Sequence, residues 1–311
     1  MMKDKHIIVL VGGPSKEAEV SRRTGTAIRE ALIGLGYHAS ILELHEATLL
    51  DDIKSMKGDI VFNALHGKFG EDGALQGTLE MAGIPYTGSG IMAQAVGMNK
   101  KISKAVFSGV GIPTARSINY NANLTSVSDI VADINEKFTI PVVVKAATQG
   151  SSIGVAVVKS SDDLVAAVEE AIKYDPILVV EEYLTGREFT VSVLDGKALA
   201  VIEIRPHSGE YDYESKYTSG ATDYLVPAPI SDSLTKQMQA IGELVYEEIQ
   251  ANGVIRVDIM TNDKDDPFVL EYNTIPGMTS TSLVPKAANA VGIAFPELCE
   301  KILYSAGLGK F

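Results

Sequence analysis

The sequence predicts an α/β protein of two or three domains, and three observations predict it. The first is an opening strand–turn–helix: the apolar, β-branched run 7–11, the turn Gly12-Gly13-Pro14-Ser15, and a helix over about 18–35 stopped by Gly36. A continuous apolar run is what a parallel strand buried on both faces requires, and strand–glycine turn–helix is the unit of a doubly wound sheet. The second is length, because 311 residues exceed what one ordinary core serves. The third is the stretch 253–283, GVIRVDIMTNDKDDPFVLEYNTIPGMTSTSL, which reads as two strands joined by a charged turn.

That last stretch organises the functional reading. Side chains two apart on a strand share a face. Arg256 and Asp258 form one such pair, and Glu271 and Asn273 form the other. Val257, Ile259, Leu270 and Tyr272 are expected on the opposite face. Clustered oxygen ligands suit a hard cation such as Mg²⁺, and an arginine beside them suits phosphate. The plainer alternative is a solvated face on an edge hairpin.

Composition narrows the classes. The chain is 46% hydrophobic and 22% charged, ordinary for a globular protein. A net charge of −13 argues against nucleic acid and anionic membrane as partners, since both need basic surfaces. One cysteine, Cys299, permits no internal disulfide and fits a reducing cytoplasm; its apolar-periodic surroundings predict a buried helix position. The run 7–11 is too short for a signal core or a membrane span.

Further elements follow in order. Strands are expected at 39–44 and 59–65, the latter delivering His66 to the loop HGKFGEDG before a helix near Ala74. Loops at that end of a doubly wound sheet carry ligand sites, although a lone histidine is more often structural. Glu17, at the start of the first helix, is either a capping carboxylate or a group facing the cleft to hold an ammonium. The stretch GIPYTGSG at 83–90 punctuates a domain boundary. Helical runs over 91–108 carry Lys100, strands follow at 113–120 and 141–145, and a helix lies between them at 126–137. Lys145 closes an apolar strand and leads into ATQGSSIG, where small residues let backbone N–H groups approach phosphate. Ser151 sits in that loop, which is not a Walker A sequence and could also be a plain β-turn.

The strand 155–158, the helix 162–174 and the strand 177–180 come next. Glu181, Tyr183 and Leu184 could serve a purine and Glu188 a ribose, or form a solvated loop. Asp195-Gly196 joins strands 188–194 and 198–204 by a type I′ turn. The polar, tyrosine-rich segment 205–229 is too long for an idle connection and reads as a cover, with Lys216 and Tyr217 near its middle. A helix over 231–252 precedes the hairpin, and helices at 282–291 and 295–305 close the chain.

Together these segments resemble the D-alanine–D-alanine ligases of the ATP-grasp superfamily. The motifs that carry the resemblance are GGPSKEAEVS, ALHGKFGEDGALQG, PYTGSG, VVVKAATQGSSIGV, GREFTV, YDYESKY, IRVDIM and LEYNTIPGMTSTSLVP, spread over nearly the whole chain. Two positions depart from the common pattern: Tyr183 stands where some relatives carry tryptophan, and Pro14 where threonine is common. The resemblance implies a Rossmann-like domain at 1–96, a central ATP-grasp subdomain at 97–185 and a C-terminal one at 186–311, the last two α+β. It implies phosphorylation of one D-alanine by ATP, then attack by the amino group of a second, for peptidoglycan precursor synthesis.

The resemblance also implies roles. Asp258, Glu271 and Asn273 would hold two Mg²⁺, with Mn²⁺ able to substitute, and Arg256 would stabilise the transferring phosphoryl. Lys100, Lys145, Lys216 and Ser151 would contact phosphate. Glu181, Tyr183, Leu184 and Glu188 would surround adenosine. Glu17 would bind the ammonium of the first D-alanine, Gly277, Ser282 and Leu283 would form the site of the second, and His66 would also bind substrate. Glu17, Ser151 and Tyr217 would link the cover to the first domain. A cytoplasmic homodimer acting on small molecules is implied. Another ATP-grasp carboxylate–amine ligase should lack the Glu17, Ser151, Tyr217 set, and a regulatory relative without catalysis should lack a metal ligand or Arg256.

Overall fold

The structure is a computed structural model and describes residues 2–150, 153–209, 218 and 220–310. Ser151, Lys216 and Tyr217, with the triad built on two of them, lie outside the described residues.

The chain opens with β1 (His6–Val11), α1 (Ala18–Gly34), β2 (His38–Glu43), α2 (Leu49–Ser55), β3 (Ile60–Asn63) and α3 (Ala74–Ala82). The strands form a parallel sheet in the order β2-β1-β3. The central β1 is sealed on both faces, with Ile7 through Val11 at most 1% exposed, which is why its sequence does not alternate. Gly36 adopts a φ of +83° just past α1, a conformation that glycine takes without strain.

The helical run expected over 91–108 is two helices, α4 (Ile91–Gly97) and α5 (Lys100–Val110). Asn99 divides them, because its side chain accepts the Ile102 amide and caps α5. Next come β4 (Ser117–Asn121), α6 (Val127–Lys137), β5 (Val142–Ala146), β6 (Val155–Val158), α7 (Leu164–Ile172) and β7 (Ile177–Glu182). Their strands make an antiparallel sheet, β4-β7-β5-β6, whose core is shared with α6 and α7.

The remainder supplies β8 (Glu188–Leu194), β9 (Lys197–Ala198), β10 (Ile202–Pro206), β11 (Thr222–Leu225), α8 (Asp232–Glu248), β12 (Val254–Thr261), β13 (Pro267–Asn273), α9 (Leu283–Ala290) and α10 (Phe295–Tyr304). This sheet runs β11-β10-β8-β12-β13, with β9 paired to β8. Asp195 and Gly196 both take positive φ, as a type I′ turn requires. The strand expected over 198–204 is broken instead: β9 ends at Ala198 and β10 begins at Ile202. The segment 205–229 contains β11, which extends the sheet edge. Helices α9 and α10 share one core with α1 and the first sheet, so the end of the chain returns to its beginning.

One residue of the hairpin corrects the expected alternation. The register runs Arg256↔Asn273 and Asp258↔Glu271, then shifts, so that Ile259 faces Val269 and Leu270 is the extra residue of a β-bulge. Val269, not Leu270, is the buried partner of Val257, Ile259 and Tyr272.

Candidate active site

The register of β12 and β13 puts four polar side chains together. Arg256 lies opposite Asn273, and Asp258 lies opposite Glu271. Two carboxylates directly opposite one another repel, so each needs a cation. Arg256 supplies the first, gripping Asp258 with Nε–Oδ1 at 2.9 Å and Nη2–Oδ2 at 2.7 Å. Lys100, from the first turn of α5, supplies the second at 2.9 Å from Glu271 Oε2, and also donates to the Gln149 carbonyl at 2.7 Å. Thr190 on the neighbouring β8 donates its hydroxyl to Asp258 Oδ1 at 2.7 Å. Asn273 spends its Oδ1 on the Ile275 amide at 2.8 Å, which fixes the chain leaving β13.

Below this floor lies a second charged group. Lys145 ends β5 and meets Glu181 Oε2 at 2.7 Å; Lys104, one turn past Lys100 on α5, stands 3.2 Å from Glu181 Oε1. All three side chains are at most 10% exposed. Burial pushes the Lys145 ammonium down, but Glu181 outweighs it and raises its pKa. Burial likewise pushes Glu181 up, and the two lysines together hold it below the usual carboxylate range. For Lys104 burial wins and its pKa is lowered. Removing one partner of such a buried pair costs about 3–5 kcal/mol. The floor and the layer beneath carry Arg256, Lys100, Lys104 and Lys145 against Asp258, Glu271 and Glu181. Gathering four cations at this one place suits an anionic ligand in a chain of net charge −13.

A cleft of about 850 Å³ opens over the hairpin and gathers many of the predicted residues. Arg256, Glu271 and Asn273 line its floor, with Lys100 and Gly150 along one side. Glu17 and His66 come from the loops after β1 and β3, as the doubly wound topology requires. Gly277, Ser282 and Leu283 come from the loop into α9. Glu17 stands at the N-cap of α1, its side chain makes no capping hydrogen bond there, and it lines the cleft. Ser282 behaves similarly; its Oγ lies 2.9 Å from Thr279 Oγ1 and accepts the Thr279 amide at 3.0 Å, without capping α9. Gly277 packs so closely on this hydroxyl that an added Cβ would sit 3.0 Å from it.

His66 is buried, with Nε2 3.5 Å from Thr24 Oγ1. Burial pushes the imidazole toward its neutral form, opposed by the nearby charge of Glu17. Six other predicted residues among those described do not line the cleft: Asp258 lies beneath it, held by Arg256 and Thr190, and five more are set back from it. Of these five, Lys145 and Glu181 form the buried pair, Tyr183 and Leu184 follow β7, and Glu188 begins β8 across from Met260.

Three residues of the site went unpredicted. Thr190 is legible only through the β8–β12 register, which sets it opposite Asp258. Lys104 shares a helix face with Lys100, a spacing of four that the sequence does contain. Glu71, inside HGKFGEDG, accepts the Gly67 amide and lines the cleft. Burial pushes its carboxyl up to about 8, against that hydrogen bond.

Among the described residues no three acidic, histidine or cysteine side chains converge as a metal cage. The donor set is two carboxylates and an amide, all oxygen, in facing register. That chemistry fits a hard divalent cation completed by ligand oxygens and water.

Comparisons with known proteins agree along the whole chain. Family models described as "D-ala D-ala ligase C-terminus" and "D-ala D-ala ligase N-terminus" match residues 106–304 and 43–89. The chain is 45% identical to a D-alanine–D-alanine ligase of an Anaeromyxobacter species, covering 98% of this chain and 97% of the relative. It is 44% identical to the D-alanine–D-alanine ligase of Syntrophotalea carbinolica, covering 99% and 98%. Among solved structures, the D-alanine–D-alanine ligase of Bacillus anthracis complexed with ATP superposes with a TM-score of 0.84 at 36% identity, covering 97% of this chain and 96% of that one. The VanG D-Ala:D-Ser ligase of Enterococcus faecalis gives 0.83 at 28% identity, covering 97% and 99%.

Proposed function

The chain belongs to the D-alanine–D-alanine ligase family, and from that premise we propose how its own residues carry the ATP-dependent joining of two D-alanines. The reaction makes D-alanyl-D-alanine for peptidoglycan precursor synthesis and releases ADP and phosphate. A carboxylate oxygen of the first D-alanine attacks the γ-phosphorus, and the bond to ADP breaks. The amino group of the second D-alanine, having lost a proton, attacks the acyl carbon, and phosphate leaves with the oxygen it took from the carboxylate.

Each step asks for charge neutralisation and positioning. Arg256, on the cleft floor, faces the transferring phosphoryl and the oxyanion that follows. Lys100 and Lys145 attract phosphate oxygens, and Ser151 and Lys216 complete that set. Glu17 holds the first ammonium with His66 beside it, while Gly277, Ser282 and Leu283 seat the second amino acid. Glu181, Tyr183, Leu184 and Glu188 surround adenosine. Tyr217, linked to Glu17 through Ser151, closes the cover against water. Asp258, Glu271 and Asn273 would hold two Mg²⁺, or Mn²⁺ in substitution, which when bound neutralise phosphate charge.

The observation that carries this reading is the cross-strand register, which sets Asp258 against Glu271 and Arg256 against Asn273, so that Arg256, Glu271 and Asn273 floor a cleft walled by Glu17 and Ser282 with Asp258 directly behind them. The same reading divides the chain at 1–96, 97–185 and 186–311; three separate sheets support that division. It places the enzyme in the cytoplasm, in keeping with one buried free thiol. No helix among the described residues is long and apolar enough to cross a membrane. A homodimer rests on the family likeness, and sedimentation velocity tests it.

The test of function is phosphate release with D-alanine, L-alanine and D-lactate offered in turn, with the product identified by mass. Release with D-alanine and formation of the dipeptide are expected. Equal turnover of L-alanine, or a depsipeptide as the main product, would overturn the substrate assignment.

A further inference from the structure

Lys104 has no part in the reaction described above, yet it is among the most buried charges in the molecule, at 4% exposure. Its ammonium is aimed by a relay. Thr114 gives its hydroxyl proton to the Val269 carbonyl at 2.8 Å, so its oxygen is left to accept, and Lys104 Nζ donates to it at 2.8 Å. The same Nζ lies 3.2 Å from Glu181 Oε1, while Lys145 takes Oε2 at 2.7 Å. Glu181 is therefore a buried carboxylate between two cations, only one of which, Lys145, is a candidate for the nucleotide.

This arrangement answers a physical problem. A phosphate that recruits Lys145 draws its ammonium from Glu181. With Lys145 as sole partner, the carboxylate would be stranded in a water-free site, and that cost would weaken nucleotide binding. A second cation, held by Thr114 and not by the ligand, keeps Glu181 compensated while Lys145 turns to phosphate. We propose that Lys104 is a positioning residue for nucleotide binding: through Glu181 it frees Lys145 to engage phosphate. The inference rests on the placement of Lys145 at the nucleotide in the ligase reading, but its test measures nucleotide binding directly.

The experiment compares wild type, Lys104→Met, Thr114→Val, Glu181→Gln and Lys104→Met/Glu181→Gln by calorimetric titration with ADP and Mg²⁺ and by steady-state kinetics. Lys104→Met is expected to weaken ADP and raise KM for ATP about tenfold or more, with KM for D-alanine within about twofold. Thr114→Val, which keeps every charge, should move ADP affinity the same way by about three- to fivefold, and it decides the matter if Lys104→Met does not fold. Because Glu181 also borders adenosine in the ligase reading, the double variant is read against Glu181→Gln alone: with no carboxylate to strand, Lys104→Met should cost ADP affinity far less in that background than in wild type. A purely packing role predicts the same cost in both backgrounds. Unchanged ADP affinity in Lys104→Met and Thr114→Val, an equal rise in both KM values, or an equal cost of Lys104→Met with and without the Glu181 carboxylate would overturn the proposal. Failure of wild type to ligate D-alanine while these ADP affinities still shift as stated would count against the ligase reading and not against the role of Lys104.

Discussion

At the scale of single residues, the charges of the site already have partners in place. Arg256 grips Asp258 with two hydrogen bonds, so Arg256→Ala removes the cation proposed to meet the phosphoryl and leaves the Asp258 carboxylate with Thr190. Turnover is expected to fall by at least about a thousandfold, the scale of losing a dedicated transition-state cation, while circular dichroism still reports a folded chain. Near-wild-type activity would remove Arg256 from the mechanism. Glu71 makes a pH prediction. Its folded pKa is about 8 against an ordinary 4.5, so folding takes up a proton between those values. A raised carboxyl pKa costs stability as pH climbs through that window, because the buried charge must then form. Glu71→Gln carries no such charge, and its melting temperature relative to wild type should rise steadily from pH 5 to pH 8. A constant difference across that range would show that Glu71 is ionised throughout. Sequence alone exposed Arg256, Asp258, Glu271 and Asn273 because strand periodicity aligns them. It did not expose Glu71, whose significance lies in its enclosure by loops distant in sequence.

At the scale of elements, the hairpin is steered by a helix that carries no site chemistry. Tyr272 stands between Glu271 and Asn273, and its hydroxyl donates to the Ala93 carbonyl of α4 at 2.8 Å. Gly97 at the end of α4 lies against the same ring, where a Cβ would come within 2.8 Å. Gly97→Ala is therefore expected to push Tyr272 and move both candidate ligands, lowering kcat about tenfold or more, since small misplacements at a reacting centre are costly. Titration of activity with Mg²⁺ should show a higher half-saturating concentration than wild type; an unchanged metal titration would break the link between α4 and the floor. The helices were legible in order from their caps and apolar spacing, as at Ser126 and Ser231, whose side chains cap α6 and α8. The bulge at Leu270 was not, because nothing in VDIM or FVLEY marks an extra residue; the partner strand decides it. The division between α4 and α5 was missed for a related reason: Asn99 is a capping residue embedded in a continuous helical composition.

At the scale of the whole molecule, the chain end closes on the first unit. Tyr86 bridges Val61 of the first sheet and Gly307 of the tail. Glu80 accepts the amides of Gly309 and Lys310, and Lys310 Nζ donates to the carbonyls of Tyr86 and Gly88. Removing residues 308–311 deletes those four hydrogen bonds and is expected to cost about 2–5 kcal/mol, read as a lower denaturation midpoint in urea; an unchanged midpoint would make the tail a passive end. This closure matters because Glu17 and Arg256 come from different sheets, and their separation depends on how the first unit is held. The doubly wound start and the hairpin were both legible in sequence, since each rests on local periodicity. Their meeting across one cleft was not, because it depends on α9 and α10 packing back against β1 and α1. The central claim is that this meeting passes phosphate onto the carboxylate of D-alanine. The most direct measurement supplies ATP and D-alanine labelled with heavy oxygen in its carboxylate, and weighs the products. One labelled oxygen should appear in each inorganic phosphate released, with the remainder in the dipeptide. Unlabelled phosphate alongside normal dipeptide formation would contradict the account.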